Sequence, residues 1–205
     1  MLTQRGYDEL VHHALASMAA GQFGEAAQAF ERIAAANPRE HRARHALAVI
    51  ALQTGRPEVA IEHARDAHAL DRRNPEYLNT LGIACGACGR TEDAVAAFRR
   101  ALRERPAYAD ALCNLGIALR RLGRFDEAAG ALRRAVALAP ESLEARVNLG
   151  KALVEGGDAE AARACLEETV ARFPASAVAH DTLGIALQAG GRLGDPPGRG
   201  ERVVR

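Results

Sequence analysis

The stretch from Pro75 to Tyr108 reads PEYLNTLGIACGACGRTEDAVAAFRRALRERPAY, and its pattern of small, apolar and proline residues recurs every thirty-four positions. The first series of equivalent residues is His13-Ala14, Leu47-Ala48, Leu81-Gly82, Leu115-Gly116, Leu149-Gly150 and Leu183-Gly184. The second is Ala26, Ala60, Ala94, Ala128 and Ala162, and the third is Pro38, Pro106, Pro140 and Pro174, with Arg72 in the second unit. A fixed period of this length indicates a stack of one small structural unit.

Each unit has the pattern of a helical hairpin. In the unit that starts at Ala109, apolar residues at three- and four-residue steps mark one helical face. They are Leu112, Leu115, Leu119 and Leu122. Gly123-Arg124 interrupts the pattern, which restarts at Phe125 and stops at Pro140. We therefore expect two helices of about thirteen residues joined by a tight turn.

Small and capping residues support this assignment. Gly116 and Ala128 fall where the two helices of a unit are expected to cross, and larger side chains there would push the axes apart. Asn74, Ser142 and Ser176 precede new helices and are suitable N-caps. Because one hairpin leaves its apolar face in water, only stacking on neighbouring hairpins covers it.

The units start at residues 7, 41, 75, 109, 143 and 177. They predict an all-α, right-handed superhelical solenoid of antiparallel helix pairs, with five full repeats and one half repeat. Residues 1–6 would form an N-terminal lead, 7–190 the solenoid, and 191–205 a Gly/Pro/Arg-rich tail.

The pattern resembles the tetratricopeptide repeat, whose unit has Leu-Gly, Ala, Phe, Ala and Pro at set offsets. The unit from Pro75 carries the signature at Leu78, Leu81-Gly82, Ala94, Phe98, Ala101 and Pro106. The units from Tyr7 and His41 match less well, with His13 and Arg72 at signature positions. The resemblance implies a protein-binding solenoid, without specifying a partner.

Composition excludes several classes of function. The formal net charge is +1, and acidic and basic residues are interspersed, so no strong attraction to nucleic acid or membranes is expected. Arginine is abundant, whereas Lys151 is the only lysine. The N-terminal sequence lacks the apolar segment of a signal peptide, and no stretch reaches transmembrane length. We expect a cytoplasmic protein.

The C-terminal sequence departs from the repeat. A turn is expected at Gly190-Gly191-Arg192, and Pro196 stands where the second helix of the sixth unit should have a small residue. Two interpretations remain open: a disordered tail, or a fragment of a longer repeat protein. In either case part of the apolar edge of the last helix is expected to be exposed, which would permit self-association.

No residue pattern indicates catalysis. Cys85 and Cys88 form a C-x-x-C motif near the end of a first helix, where the helix dipole disfavours a thiolate, and we expect buried small side chains. His41 and His45 lie on one helical face without a third metal ligand, so they are interpreted as surface or capping residues. Serine is confined to three positions. We therefore predict no enzyme activity, no cofactor and no metal.

The expected site is the concave groove, which first helices line in such solenoids. In the resembled family the inward stripe takes fixed positions of each unit. The candidate partner-binding residues are Glu76, Asn79, Asp110, Asn114, Ile117, Arg120, Arg121, Glu144, Asn148, Lys151 and Asp181. Arg120, Arg121 and Lys151 would form a basic centre for an acidic side chain or terminal carboxylate. The acids in first helical turns are equally explained by the helix dipole.

Two hypotheses of function follow. The first is a non-catalytic scaffold that holds a peptide segment of a partner protein in the groove. The second is the repeat portion of a larger bacterial glycosyltransferase or sulfotransferase that presents a substrate protein. The Gly/Pro-rich C-terminal sequence motivates the second. Separately, Asn114 and Asn148 resemble the asparagine ladder in the repeats of O-linked N-acetylglucosamine transferases. That ladder is short here, because the flanking equivalents are Thr80 and Thr182.

Overall fold

The computed structural model describes residues 4–194, and the side chains of residues 6–191. Within this range the chain is entirely helical, with eleven helices and no strand. The helices are α1 (Gln4–Ala19), α2 (Phe23–Ala36), α3 (His41–Gln53), α4 (Pro57–Leu70), α5 (Pro75–Ala87), α6 (Thr91–Glu104), α7 (Ala109–Arg121), α8 (Phe125–Leu138), α9 (Leu143–Glu155), α10 (Ala159–Arg172) and α11 (Ala177–Gly194). They pair into five hairpins followed by one further helix, which confirms the predicted repeat count.

The hairpins have nearly constant dimensions. First helices α3, α5, α7 and α9 are 13 residues long, and second helices α2, α4, α6, α8 and α10 are 14. A glycine in the left-handed region ends each turn between them, for example Gly89 at φ 74° and Gly123 at φ 72°. This backbone conformation is strained for other residues, so glycine fixes where each hairpin reverses.

The predicted caps are present. The Asn74 side chain accepts a hydrogen bond from the Glu76 backbone N–H at 3.0 Å. Ser142 Oγ accepts from the Ala145 N–H at 3.2 Å, and Ser176 Oγ accepts from the Ala179 N–H at 3.3 Å. These bonds satisfy backbone donors that a helix start leaves without an internal partner.

First and second helices lie on opposite sides of the stack. Each hairpin packs on the next, and from α3 to α11 the first helices also contact each other directly. The second helices pack mainly on first helices. Because neighbours approach most closely along the first helices, these helices form the inner, concave side of the solenoid.

A glycine on each central first helix receives a large side chain from its own second helix. A Cβ added at Gly116 would lie 2.4 Å from Leu132 Cγ, and one added at Gly82 would lie 2.5 Å from Phe98 Cε1. Gly116 is therefore at the helix crossing, as predicted, but its direct neighbour is Leu132 and not the buried Ala128. The glycine provides a socket for a bulky residue sixteen positions later.

Replacing Gly116 by alanine should lower the free energy of unfolding by about 1–2 kcal/mol. Overpacking costs about 1–3 kcal/mol, and the better helix propensity of alanine offsets up to about 1 kcal/mol. Urea denaturation measures the change. In the second unit the equivalent pair is Ala48 and Ala64, both fully buried. The double variant Gly116→Ala/Leu132→Ala should therefore lose less free energy of unfolding than the sum of the two single variants. Strict additivity would contradict direct packing of Leu132 on Gly116.

The last helix differs from the prediction. Gly190-Gly191-Arg192 was expected to form a turn, but α11 continues as a helix to Gly194. Each glycine costs only about 1 kcal/mol in a helix interior. The sequence that follows has Pro196 where the repeat pattern requires a small residue, so it lacks the pattern that accompanies the earlier turns. Residues 195–205, which include Pro196 and most of the predicted tail, lie outside the described residues. No helix in the described part of the chain is long and apolar enough to cross a membrane.

Candidate functional site

A continuous groove crosses the inner faces of α5, α7 and α9. It consists of two clefts that share Ile83 and Asn114. One, of about 330 Å³, also contains Asn79, Asp110, Cys113 and Glu144. The other, of about 290 Å³, also contains Gly86, Ala87, Ile117 and Arg121. The structure thus brings six of the predicted groove residues to adjoining clefts: Asn79, Asp110, Asn114, Ile117, Arg121 and Glu144.

An apolar row runs along this inner face at the ninth position of the repeat. Its members are Leu15, Val49, Ile83, Ile117 and Ile185, and Lys151 takes the same position in the fifth unit. Leu15 is 54% exposed, Ile83 40% and Ile185 55%, while Val49 and Ile117 are half-buried. The candidate residues included Ile117 and Lys151 at this position. Exposed aliphatic side chains in line on one face are characteristic of an interaction surface.

The groove amides are bonded to the protein itself. Asn114 Nδ2 donates to Asn79 Oδ1 at 3.1 Å across α7 and α5, and Asn79 is only 8% exposed. Asn148 Nδ2 donates to the Glu144 carbonyl of its own helix at 2.9 Å. Asn114 and Asn148 therefore make different contacts within the protein, and each has a second amide N–H beyond the one that donates here.

Of the three cations of the predicted basic centre, one is paired with a carboxylate of the protein. Arg120 Nη1 lies 2.6 Å from Glu155 Oε1, so this guanidinium is paired with a carboxylate on the next first helix. Arg121 and Lys151 form no ion pair with carboxylates of the described side chains. The exposed Arg121 and the half-buried Lys151 remain available for an acidic group.

Three of the four predicted acids lie at the starts of first helices, whereas Arg120 and Arg121 lie at the end of α7. Glu76, Asp110 and Glu144 are exposed in the first turns of α5, α7 and α9. Glu76 Oε1 lies 3.6 Å from Arg105 Nη2. Asp181 is exposed on α11, away from the two clefts. The groove thus has an acidic rim at the helix starts, whereas among α5, α7 and α9 only α7 has basic side chains in its last turn, Arg120 and Arg121.

The histidines of α3 join two repeats, which corrects their interpretation as surface or capping residues. His41 Nδ1 lies 2.6 Å from the Tyr77 hydroxyl, and His45 Nε2 lies 2.8 Å from Thr80 Oγ1. The His45 ring also packs on the Tyr77 ring at a centroid distance of 4.8 Å. Burial lowers the pKa of His45, although the nearby Glu76 carboxylate opposes this effect.

Acidification should therefore destabilise the fold. Burial also lowers the pKa of His63 and, with help from Arg100 and Arg72, that of His68. In the unfolded chain these rings take up protons near pH 6.5, whereas the folded chain keeps them neutral to lower pH. The free energy of unfolding therefore has its full value above pH 6.5 and decreases below it. Urea denaturation between pH 7.5 and 5 should show this decline, and His45→Gln should reduce its slope. The exposed His13→Gln is the control; an unchanged slope in His45→Gln would refute the assignment.

The cysteines are free thiols in packed surroundings. Cys85 is buried, and Cys88 follows the last residue of α5. Burial raises the pKa of both, and it raises the pKa of Cys113 to about 12. These groups are therefore neutral thiols near pH 7. The described residues contain no cluster of three side chains that could hold a metal ion.

Comparison with known families identifies the repeat. Two models described as tetratricopeptide repeat match the chain, one over residues 12–75 and 80–142 and the other over 119–184. The chain belongs to the tetratricopeptide repeat family. No curated protein matches it in sequence.

Solved structures, among them structures of tetratricopeptide repeat proteins, share the fold. MamA is 23% identical, with a TM-score of 0.72 over 80% of this chain and 90% of MamA. A thermophilic repeat protein of Thermus thermophilus is 24% identical, with a TM-score of 0.68 over 89% of this chain and 99% of that protein. YrrB, described as having an unusual peptide-binding site, is 23% identical, with a TM-score of 0.69 over 80% of this chain and 85% of YrrB.

Proposed function

We propose that this tetratricopeptide repeat protein is a non-catalytic scaffold that binds a peptide segment of a partner protein in its concave groove. The apolar row carries the proposal. Ile83 is exposed on the inner face, and a ligand that removes its surface from water lowers the free energy of the system. Stacked repeats form extended concave surfaces of this type. YrrB, which shares the fold and is described as having an unusual peptide-binding site, supports peptide binding by a stack of this kind.

The shape of the groove favours a peptide over a small molecule. The two clefts are partly open, and they adjoin each other across α5, α7 and α9. Small-molecule pockets usually enclose most of their ligand within about 300–1,000 Å³. A chain that runs across several repeats would instead contact both clefts at once, with its backbone and side chains near Asn114 and Arg121.

Selection of peptides from a random display library on the immobilised protein tests this function. Enriched peptides should bind the wild-type protein and lose binding to Ile83→Asp/Ile117→Thr, which changes the groove. They should retain binding to Leu70→Asp/Leu138→Thr, which changes exposed leucines at the ends of α4 and α8. Peptides that bind the groove variant normally would overturn the proposal, as would a selection that enriches no binding peptide.

A further inference from the structure

The apolar row has one interruption, which bears on the chemistry of the ligand. Lys151 is the only lysine of the chain, and it stands at the row position of α9. Its neighbours in the row are Ile117 on α7 and Ile185 on α11. A ligand that covers the row consecutively therefore meets aliphatic side chains and then a single ammonium group.

The ammonium group of Lys151 has no carboxylate partner among the described side chains. It forms no ion pair there, and the nearest acid along its own helix, Glu155, is paired with Arg120 at 2.6 Å. The position is half-buried, so a bound chain would exclude further water from it. A carboxylate on the ligand would then meet a charge whose interaction is less screened than at an open surface.

The repeat also determines the spacing of ligand side chains. Directly packed helices lie about 8–10 Å apart, and successive first helices contact each other from α3 to α11, so we expect a similar distance between successive row positions. A polyproline II helix rises about 9 Å per turn of three residues and returns every third side chain to the same face. A β-strand matches this spacing less well, because its same-face side chains are about 6.8 Å apart. Every third residue of a polyproline II ligand could therefore face successive row positions.

We infer that the ligand is an extended peptide with an apolar residue, a second apolar residue three positions away and an acidic residue three positions further, placed against Ile83, Ile117 and Lys151. This inference rests on the proposed function and adds the ligand class to it. Lys151 is the ninth residue of α9, about two turns away from the acidic rim formed by the starts of α5, α7 and α9. A single carboxylate is therefore expected opposite Lys151, away from the carboxylates of that rim.

Synthetic peptides test the inference by fluorescence polarisation. The probe is fluorescein-labelled Leu-Pro-Ser-Leu-Pro-Ser-Glu, prepared also in reversed order because the chain direction in the groove is open. One control peptide replaces Glu by Lys, and a second, Leu-Leu-Pro-Ser-Pro-Ser-Glu, keeps the composition but breaks the period. The protein variants are Lys151→Glu and the more conservative Lys151→Gln.

The wild-type protein should bind the Glu probe, in one of its two orders, about tenfold more tightly than either control. Lys151→Gln should abolish the preference for Glu over Lys, and Lys151→Glu should reverse it. Equal affinity for the Glu and Lys probes, equal affinity for the period-broken peptide, or no binding of any probe would overturn the inference. The proposed function would survive these outcomes if display-selected peptides of another pattern still depended on Ile83 and Ile117, so the two failures are distinguishable.

Discussion

Replacing Tyr77 by alanine should lower the free energy of unfolding by about 3–5 kcal/mol, as expected for loss of a large buried aromatic side chain. Tyr77 is 2% exposed and lies on α5, where its hydroxyl contacts His41 and its ring contacts His45. The change removes packing between the second and third repeats and leaves His41 without its partner. Urea denaturation followed by circular dichroism measures the loss.

Tyr77→Phe is the matched control. It keeps the ring and removes only the hydroxyl, so it should cost about 1 kcal/mol. Because repeats are stabilised by nearest neighbours, Tyr77→Ala should also separate α1–α4 from the rest of the stack. Hydrogen exchange should rise in α3 and α4 and change little in α7–α10. A uniform rise along the chain, or equal costs for the two substitutions, would contradict this account.

The double change Ile83→Asp/Ile117→Thr should weaken peptide binding by about a hundredfold. Complete burial of an exposed isoleucine is worth roughly 1.5–3 kcal/mol, and because Ile83 and Ile117 are only partly exposed, covering both is worth about 3 kcal/mol. Each 1.4 kcal/mol corresponds to about tenfold in affinity. The aspartate adds the cost of placing a carboxylate against an apolar ligand side chain. Affinities of display-selected peptides, measured by fluorescence polarisation, give the ratio.

Two checks separate loss of binding from loss of fold. Ile83 is exposed and Ile117 half-buried, so the thermal midpoint of the double variant should fall by only a few degrees. Leu70→Asp/Leu138→Thr makes the same type of change outside the groove and should bind with wild-type affinity. If both double variants lose binding equally, the effect does not arise from the groove.

The helices were predictable from the sequence because their causes are local. The spacing of Leu112, Leu115 and Leu119 gives one helical face, and the capping residue Ser142 is adjacent to the helix it starts. The extension of α11 through Gly190 was not predictable in this way. Glycine weakens a helix without ending it, and the earlier turns are held by a second helix that packs back on the first.

The groove was predictable in position but not in its contacts. Asn79 meets Asn114 and Arg120 meets Glu155, each pair thirty-five residues apart on successive first helices. This lateral register depends on how the hairpins stack, which one unit of sequence does not determine. The apolar row was partly overlooked because an aliphatic residue in an amphipathic helix is usually assigned to the core. Its thirty-four-residue period, with Lys151 as the exception, was the available signal.

The buried Arg146 was also not foreseen. It occupies the position that Leu78 and Leu112 hold in the preceding units, where a leucine is expected. Its Nε donates to the Pro140 carbonyl at 2.7 Å, and its Nη1 lies 2.9 Å from Glu168 Oε1. A buried charge requires such partners, and they come from a loop and a second helix that the repeat pattern does not specify.

Site-specific photocrosslinking tests most directly whether the concave groove binds the partner peptide. A photoreactive phenylalanine derivative would replace Ile83 in one variant and Leu70, exposed outside the groove, in another. Irradiation with a display-selected peptide should give a covalent adduct from position 83 and none from position 70, as read by mass spectrometry. Adducts from position 70 alone, or equal yields from both positions, would contradict binding in the groove.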